Sequence, residues 1–575
     1  MKNYNEEYKR WLASPELTDG EREELLAIKD REDLKELRFS APMSFGTAGL
    51  RSTMYMGIGC MNRFTVAKAT RGIAALVKQC SGAERGVAIA YDSRNNSREF
   101  AIVSASVLAG EGIRVFIFDD LRPTPELSFA VRRTGAIAGI NITASHNPKE
   151  YNGYKAYWED GAQLSPDHAA VVAEASEAFD VLDCSGLADF DTAVADGRIT
   201  VLGADFDELY IAEVMATAID PSLISELGEE LKVVYTPLHG AGRVLVPEVF
   251  RRLGLRGLYT VESQMTADGN FPTVKKPNPE YADVFAEGIE LANKVGADLV
   301  IATDPDSDRV GVMTRVADGS FATITGNQMG SLLLDYMITA RREQGTLPEH
   351  AFCVKSIVST DMAYKIAELN GVKLHDVLTG FKFIGETIKK YEASGLEDGF
   401  ILGFEESYGY LMGTYARDKD AVEASMLILE MAAYYAKRGM TLSSALASLY
   451  ERYGYFGESV TDIYMEGLDG IVRRKETMER LRKAPPASFA GVAVKSVADY
   501  LSGTVSYTDG STRETGAPLS DVLYYTLEND DKIIVRPSGT EPKIKIYVLA
   551  HADDKLSLDE KCSAYLKEAK KITEA

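Results

Sequence analysis

Three times along the chain a β-branched apolar run opens a block that closes, roughly fifty to seventy residues later, with a strand running into a chemically unusual loop. The first block contains Gly86-Val87-Ala88-Ile89-Ala90-Tyr91, a helical pattern near Glu99 to Gly110, Arg114-Val115-Phe116-Ile117-Phe118 and the apolar run Ala136 to Ile142. The second opens at Leu231-Lys232-Val233-Val234-Tyr235 and later runs from Ala297 to Thr303. The third opens at Phe352 to Val358 and later reaches Phe400-Ile401-Leu402. Strands alternating with amphipathic helices form βαβ units in a mixed or parallel sheet. Open α/β sheets bind ligands at the carboxyl ends of their strands, so three such blocks predict three similar mixed-sheet α/β domains around one cleft. Beyond about residue 460 the runs shorten (Lys532 to Val535, Ile544 to Leu549) and alternate with helical stretches at Ile471 to Arg482 and Ser557 to Lys571, which predicts a smaller C-terminal α+β domain. The first forty residues, with Leu25 and Ile28, then Leu34 and Leu37, at helical spacing, predict a helical arm on the first domain. The expected boundaries are 1–40 for the arm and 41–205, 206–322, 323–455 and 456–575 for the four domains.

A chain of 575 residues exceeds what one hydrophobic core supports, in keeping with several domains. At 45% hydrophobic and 26% charged residues it has ordinary globular composition. No apolar run reaches the roughly eighteen residues of a membrane span, and Met1-Lys2-Asn3-Tyr4-Asn5-Glu6-Glu7 has no apolar signal core, so a cytoplasmic protein without a membrane partner is expected. Cys60, Cys80, Cys184, Cys353 and Cys562 lie far apart without Cys-x-x-Cys spacing and read as reduced thiols. A net charge of −23 without a basic stripe argues against nucleic acid. Screening confines surface charge to about 8 Å, so a locally basic pocket for an anionic small molecule remains compatible with it.

The chemistry lies in the loops. Thr143-Ala144-Ser145-His146-Asn147-Pro148 sets a hydroxyl beside an imidazole at the end of an apolar run. No Gly-x-Ser-x-Gly elbow surrounds Ser145, and Pro148 keeps Asn147 extended, so the serine sits on a loop and reads as a phosphorylatable group rather than a proteolytic nucleophile; the bland alternative is a hydroxyl satisfying local backbone. Asp304-Pro305-Asp306-Ser307-Asp308-Arg309 places carboxylates at every second position, and like charges so close call for a cation. Hard oxygen donors suit Mg2+, and Arg309 suits a phosphate. Arg536-Pro537-Ser538-Gly539-Thr540 combines a guanidinium, two hydroxyls and a glycine between two short strands, a phosphate cradle to which Lys545 can add charge. Gly403-Phe404-Glu405-Glu406-Ser407 offers carboxylates and a hydroxyl to sugar hydroxyls, and Arg417-Asp418-Lys419-Asp420 supplies cations. Gly46-Thr47-Ala48-Gly49-Leu50-Arg51 looks like a phosphate loop but lacks Gly-Lys-Ser/Thr.

In this order, from about residue 40 to the C-terminus, the loops resemble those of the α-D-phosphohexomutase superfamily. The resemblance implies that Ser145 carries the phosphoryl group and that Lys155, in Tyr151-Asn152-Gly153-Tyr154-Lys155, is a general acid/base, with His146 beside it. It makes Asp304, Asp306 and Asp308, with an oxygen of phosphoserine 145, the Mg2+ ligands, and puts Arg309 on the phosphate. The sugar loop maps to Glu405 and Ser407, the Arg-x-Lys-Asp segment to Lys419, and the distal phosphate loop to Arg536, Ser538 and Thr540; Thr379-Gly380 and Arg51 match further substrate-binding positions. Tyr408-Gly409 stands where the dual-specificity mannose/glucose enzymes have Gly-His, which is similar to the longer phosphoglucomutase branch that includes phosphopentomutases. The implied reaction interconverts glucose 1-phosphate and glucose 6-phosphate, with mannose or pentose phosphates as alternatives, through a bisphosphate that turns around under a mobile fourth domain acting as a lid. Glucose 1,6-bisphosphate is then an activator. A Mg2+-dependent sugar-phosphate phosphatase and a non-catalytic sugar-phosphate sensor are the readings from other classes.

Overall fold

The computed structural model of the chain describes residues 3–47, 49–465, 467–538 and 543–574. They fall into two compact units, Met1–Thr323 with Gly409–Lys437, and Ile324–Tyr408 with Arg438–Ala575.

The first unit contains a six-stranded sheet in the order Leu50–Thr53, Tyr151–Trp158, Ala138–Ile142, Val87–Tyr91, Val115–Phe118, Ile199–Leu202. The last four strands run parallel to one another and Tyr151–Trp158 is antiparallel to both of its neighbours, so the sheet is mixed. Val87–Tyr91, Val115–Phe118 and Ala138–Ile142 are buried at every position, which is why they read as continuous apolar runs instead of alternating ones. Helix Arg63–Gln79 starts from a capping box between Asn62 and Thr65 and buries Phe64, Ile73 and Val77.

Helices Tyr4–Leu12, Asp19–Ala27 and Glu32–Phe39 form the N-terminal arm, whose Trp11, Leu25, Ile28 and Phe39 share a core with Ile58 and Phe64. Leu25 and Ile28 are buried as their spacing suggests, but Leu37 is 70% exposed. The inward stripe of that helix passes through Lys35, Arg38 and Phe39, because long cationic stems cover aromatic rings; the Arg38 guanidinium lies 4.0 Å from the Tyr55 ring.

The second sheet of this unit runs Phe321–Ile324, Val310–Arg315, Leu299–Thr303, Lys232–Thr236, Gly257–Thr260, antiparallel between Val310–Arg315 and Leu299–Thr303 and parallel after them. Residues Gly409–Lys437, although they sit inside the third sequence block, belong here. Their helix Ala421–Ala436, capped by Asp420 on Val422 N and Glu423 N, packs against helix Gly242–Arg252.

In the second unit Phe352–Ser356 lies between Lys373–Val377 and Phe400–Glu405, parallel to both. A separate antiparallel sheet follows in the order Tyr455–Tyr464, Lys543–Ala552, Lys532–Pro537, Leu523–Leu527, Val492–Asp499, Thr504–Tyr507, Thr512–Glu514. Helix Lys555–Glu574 packs on it through Leu558, Cys562, Tyr565 and Ala569. Its strands outrun the apolar runs that announce them, since Arg536, Pro537, Lys543 and His551 extend the ladder with polar or imino residues at the strand ends. Ile357, Val358 and Leu378 share a core with Ile534, Tyr547 and Leu549, so the C-terminal sheet and the third α/β block form one body. Among the described residues, no helix is long and apolar enough to cross a membrane.

Candidate active site

Ser145 follows strand Ala138–Ile142 at a carboxyl end of the parallel sheet, buried and with a left-handed backbone (φ 52°). A non-glycine residue is held there only where its surroundings over-determine it. They do. Thr143 Oγ1 accepts from Ser145 N at 2.7 Å and donates to Asp92 Oδ2 at 2.6 Å. The Arg94 guanidinium donates to the carbonyls of Ser145 (2.5 Å), Pro148 (2.9 Å) and Tyr151 (3.0 Å), and to that of Asn147. Arg94 Nε lies 3.3 Å from Asp92 Oδ2, and neither side chain has solvent exposure. Burial holds the Asp92 carboxyl above its ordinary range, with Arg94 opposing. The sequence reading missed this pair; its signal is an acid-x-Arg directly after the buried strand Val87–Tyr91.

Asp304, Asp306 and Asp308 follow strand Leu299–Thr303, all buried, with one oxygen of each within 4.8 Å of the others. Ser307 between them is left-handed (φ 50°). Asp304 Oδ1 accepts from Asp308 N (3.1 Å) and Arg309 N (3.0 Å), which closes the loop on itself. Gly240 braces it from outside: a Cβ there would meet Pro305 Cα at 2.4 Å, so only glycine lets the turn after Lys232–Thr236 lie against the acid loop, where Ala241 N donates to Pro305 O at 2.8 Å.

The serine and the acids meet. Ser145 Oγ donates to Asp304 Oδ2 at 2.8 Å and lies 3.1 Å from His146 Nδ1. Lys155, on strand Tyr151–Trp158, donates to Asp306 Oδ2 (2.7 Å) and Asp308 Oδ2 (3.3 Å). Lys419 Nζ lies 3.2 Å from Asp308 Oδ2 and 2.8 Å from Asp418 Oδ1, and Asp418 is fixed by Tyr157 OH at 2.9 Å. The Lys419 stem passes Gly409, where a Cβ would lie 2.1 Å from its Cδ. Arg51 donates to Asn147 Oδ1 at 3.2 Å, beside the serine loop. Arg309 is held by Glu280, a partner its sequence gave no sign of.

Burial and the two neighbouring carboxylates push Asp304 well above the usual carboxylate range. Burial also acts on Asp306 and Asp308, but Lys155 on the first, and Lys419 with Lys155 on the second, outweigh it and keep both low. Lys155 is raised: burial opposes its charge, and Asp306 and Asp308 more than offset that, so it is a held cation. Burial, then Arg309 and Arg51, hold His146 well below its ordinary value and so neutral. Asp306 Oδ1 and Asp308 Oδ1 are buried without a hydrogen-bond partner. Orphaned carboxylate oxygens in a cluster of hard donors, with a hydroxyl against it, fit a small divalent cation such as Mg2+.

In the second unit Arg536 donates to Thr379 Oγ1 at 2.6 Å, and Gly380 N to Glu405 Oε1 at 2.7 Å. Glu405 is the last residue of strand Phe400–Glu405, and its carboxylate secures the Thr379-Gly380 turn. Ser407 follows in the adjoining turn, half-buried. Lys545 stands opposite Arg536 in the antiparallel ladder. Burial and Glu405 raise Glu406, with Lys545 and Arg536 opposing, and Ser356 Oγ donates to Glu406 Oε2 at 3.3 Å. Ser538 N donates to Lys543 O at 2.8 Å where the ladder ends; Thr540 lies outside the described residues. The expected site residues thus assemble as two groups, one in each unit: Ser145, His146, Lys155, the three aspartates, Arg309, Arg51 and Lys419 in the first, and Thr379, Gly380, Glu405, Ser407, Arg536, Ser538 and Lys545 in the second.

Comparison with known proteins gives matches to the models of the phosphoglucomutase/phosphomannomutase α/β/α domains I, II and III at residues 42–180, 208–318 and 325–453. A phosphoglucomutase of Staphylococcus aureus (strain MRSA252) is 38% identical over 539 residues, 92% of this chain and 93% of the relative. Among solved structures, the Paramecium pp63/parafusin phosphoglucomutase superposes with a TM-score of 0.66 at 19% identity, over 93% of this chain and 95% of that one. A phosphoglucomutase/phosphomannomutase family protein from Burkholderia thailandensis does so at 0.64 and 18%, over 92% and 97%. At these identities the two structures speak for the fold.

Proposed function

The chain belongs to the phosphoglucomutase/phosphomannomutase family, and on that premise we propose that it is a phosphoglucomutase, interconverting glucose 1-phosphate and glucose 6-phosphate through phosphoserine 145 and a bisphosphate intermediate. The observation that carries this is the serine hydroxyl held 2.8 Å from a buried carboxylate in a three-aspartate cluster with a lysine already in place. A serine peptidase or carboxylesterase has no use for such a cluster beside its nucleophile.

Asp304, Asp306, Asp308 and Ser145 would hold Mg2+, which would offset negative charge on the phosphoryl group. In one half-reaction the sugar hydroxyl attacks the phosphorus of phosphoserine 145; the new P–O(sugar) bond forms as the P–Oγ bond breaks. This half-reaction starts from the phosphoenzyme, in which the preceding one has moved a proton off Lys155 and onto His146; the hydroxyl proton passes to Lys155, and Oγ takes one from His146. The other half-reaction reverses these roles. Neutral His146, with Nδ1 3.1 Å from Oγ, accepts the serine proton, and cationic Lys155 gives one to the departing sugar oxygen. Arg51 and Arg309 flank the serine loop and the acid loop for the reacting phosphate. Arg536, Ser538, Thr540 and Lys545 are assigned to the phosphate that does not react, and Glu405, Ser407, Thr379, Gly380 and Lys419 to the sugar. Glucose 1,6-bisphosphate activates by restoring phosphate to Ser145. Five cysteines, none in a disulfide, support a reducing, cytoplasmic setting.

The test follows formation of the isomeric phosphate of each sugar (glucose 6-phosphate, mannose 6-phosphate or a pentose 5-phosphate) and inorganic phosphate release on one sample, over a panel of glucose, mannose and pentose 1-phosphates. Isomerisation fastest with glucose 1-phosphate and without phosphate release is expected. Stoichiometric phosphate release makes the protein a phosphatase; faster turnover of another sugar corrects the substrate and keeps the reaction.

A further inference from the structure

Thr124 reaches Asp306 twice from a different part of the chain. It is the first residue of helix Thr124–Thr134 and is fully buried. Its backbone N–H donates to Asp306 O at 2.8 Å, and its hydroxyl donates to Asp306 Oδ2 at 2.9 Å. The same oxygen of Thr124 accepts from Asn141 Nδ2 at 2.8 Å. A hydroxyl has one proton to give. With Asn141 supplying a proton to Thr124 Oγ1, the hydroxyl's own proton is directed to the carboxylate. Asn141, also fully buried, stands opposite Lys155 in the antiparallel register, so Thr124 and Lys155 come to Asp306 from one strand pair and from the helix beside it. Both donors converge on Oδ2, and Oδ1 is left buried without a hydrogen-bond partner.

Two directional donors on one oxygen set the rotation of a carboxylate about its Cβ–Cγ bond and decide which oxygen faces a cation. Lys155 supplies one of these directions and is shared with Asp308, whereas the Thr124 hydroxyl, with its backbone N–H on Asp306 O, serves Asp306 alone. We propose that Thr124, aimed by Asn141, is a positioning residue that presents Asp306 Oδ1 to the divalent cation. This rests on the reading of the aspartate cluster as a metal site. An outer-shell partner of a metal-binding carboxylate commonly contributes tenfold to a hundredfold to metal affinity or activity.

Mn2+ is the probe, titrated by electron paramagnetic resonance into the purified full-length wild-type protein and the Thr124→Val, Thr124→Ser and Asp306→Asn variants, with thermal melting of each. Thr124→Val keeps the shape of the side chain and removes the hydroxyl; its Mn2+ affinity should fall about 10- to 100-fold, with Thr124→Ser within a few-fold of wild type. Mutase assays at rising Mg2+ should show the same shift in the metal requirement, with the Michaelis constant for glucose 1-phosphate little changed. If Asp306→Asn loses Mn2+ binding while Thr124→Val binds as wild type does, this inference falls and the metal site stands. If wild type binds no Mn2+, or Asp306→Asn binds it undiminished, the metal reading falls and takes this inference with it. Should Thr124→Val not fold, Asn141→Leu carries the same test: weaker Mn2+ binding is expected, and wild-type affinity overturns the proposal.

Discussion

Replacing Arg94 by methionine keeps an unbranched stem in the same space and removes every hydrogen bond from the guanidinium to the serine loop. Two losses follow. Asp92, without solvent exposure and 3.3 Å from Arg94 Nε, keeps its hydrogen bonds from Thr143 and Ser97 but loses its cation. The carbonyls of Ser145, Asn147, Pro148 and Tyr151 lose their shared guanidinium. Removing one partner of a buried ion pair costs about 3–5 kcal/mol. Each charged hydrogen bond accounts for about 1.5–3 kcal/mol of the same loss, and the groups act as a unit, so the figures do not sum and about 3–5 kcal/mol is the expected destabilisation. If the uncompensated charge of Asp92 is the larger part, Asp92→Asn in the same chain should return about 1–2 kcal/mol of interaction energy. The assay is urea unfolding of the wild type, both single variants and the double variant, with mutase turnover measured alongside. Turnover of Arg94→Met should fall about 100-fold or more, because the left-handed Ser145 no longer has its frame. A strictly additive double variant, or an Arg94→Met protein that unfolds and turns over like the wild type, would refute the reasoning.

Chelation should abolish activity and Mg2+ restore it, and Asp306→Asn should cost orders of magnitude in turnover with a near-normal melt; full activity after exhaustive metal removal contradicts the assignment. Glu423, whose Oε2 accepts from Met412 N at 2.8 Å, is raised by burial and by Asp420 from 4.5 to about 8. The folded state therefore keeps a proton that the unfolded state releases, and stability falls as pH rises from 4.5 to about 8. Glu423→Gln should gain on the wild type across that window, and melting curves that stay parallel from pH 5 to pH 8 would exclude it. Arg536→Ala removes a charged donor worth about 1.5–3 kcal/mol, which raises the Michaelis constant about 10- to 100-fold; an unchanged constant means that the ladder end binds no phosphate.

The residues legible from the chain alone share one property: their chemistry is local. Ser145 beside His146, and three aspartates at alternate positions after an apolar strand, announce themselves within six residues each. The supports do not. Thr124 meets Asp306 across 182 positions, and its sequence context, Pro123-Thr124-Pro125, reads only as a helix start. Glu280, which holds Arg309, lies in a stretch without periodicity. Between Glu405 and Glu406 the residue types alone give no ground for choice, because which carboxylate secures the Thr379-Gly380 turn depends on where strand Phe400–Glu405 ends. The spacing misleads on a helix face where long polar side chains do apolar work, as at Lys35 and Arg38, which with Phe39 line the inward side in place of Leu37.

The central claim is that Ser145 is the phosphoryl carrier. The direct measurement starts from protein freed of phosphate at Ser145, as established by intact mass and peptide mapping, and follows the mutase rate as glucose 1,6-bisphosphate is added, with inorganic phosphate measured in parallel. The account predicts negligible activity at first, recovery at bisphosphate concentrations well below those of substrate, a single added phosphate on Ser145, no activity in Ser145→Ala at any bisphosphate concentration, and no inorganic phosphate at any stage, because charging by the bisphosphate releases a glucose monophosphate. Full activity of the dephosphorylated protein without bisphosphate, or wild-type turnover by Ser145→Ala, contradicts it.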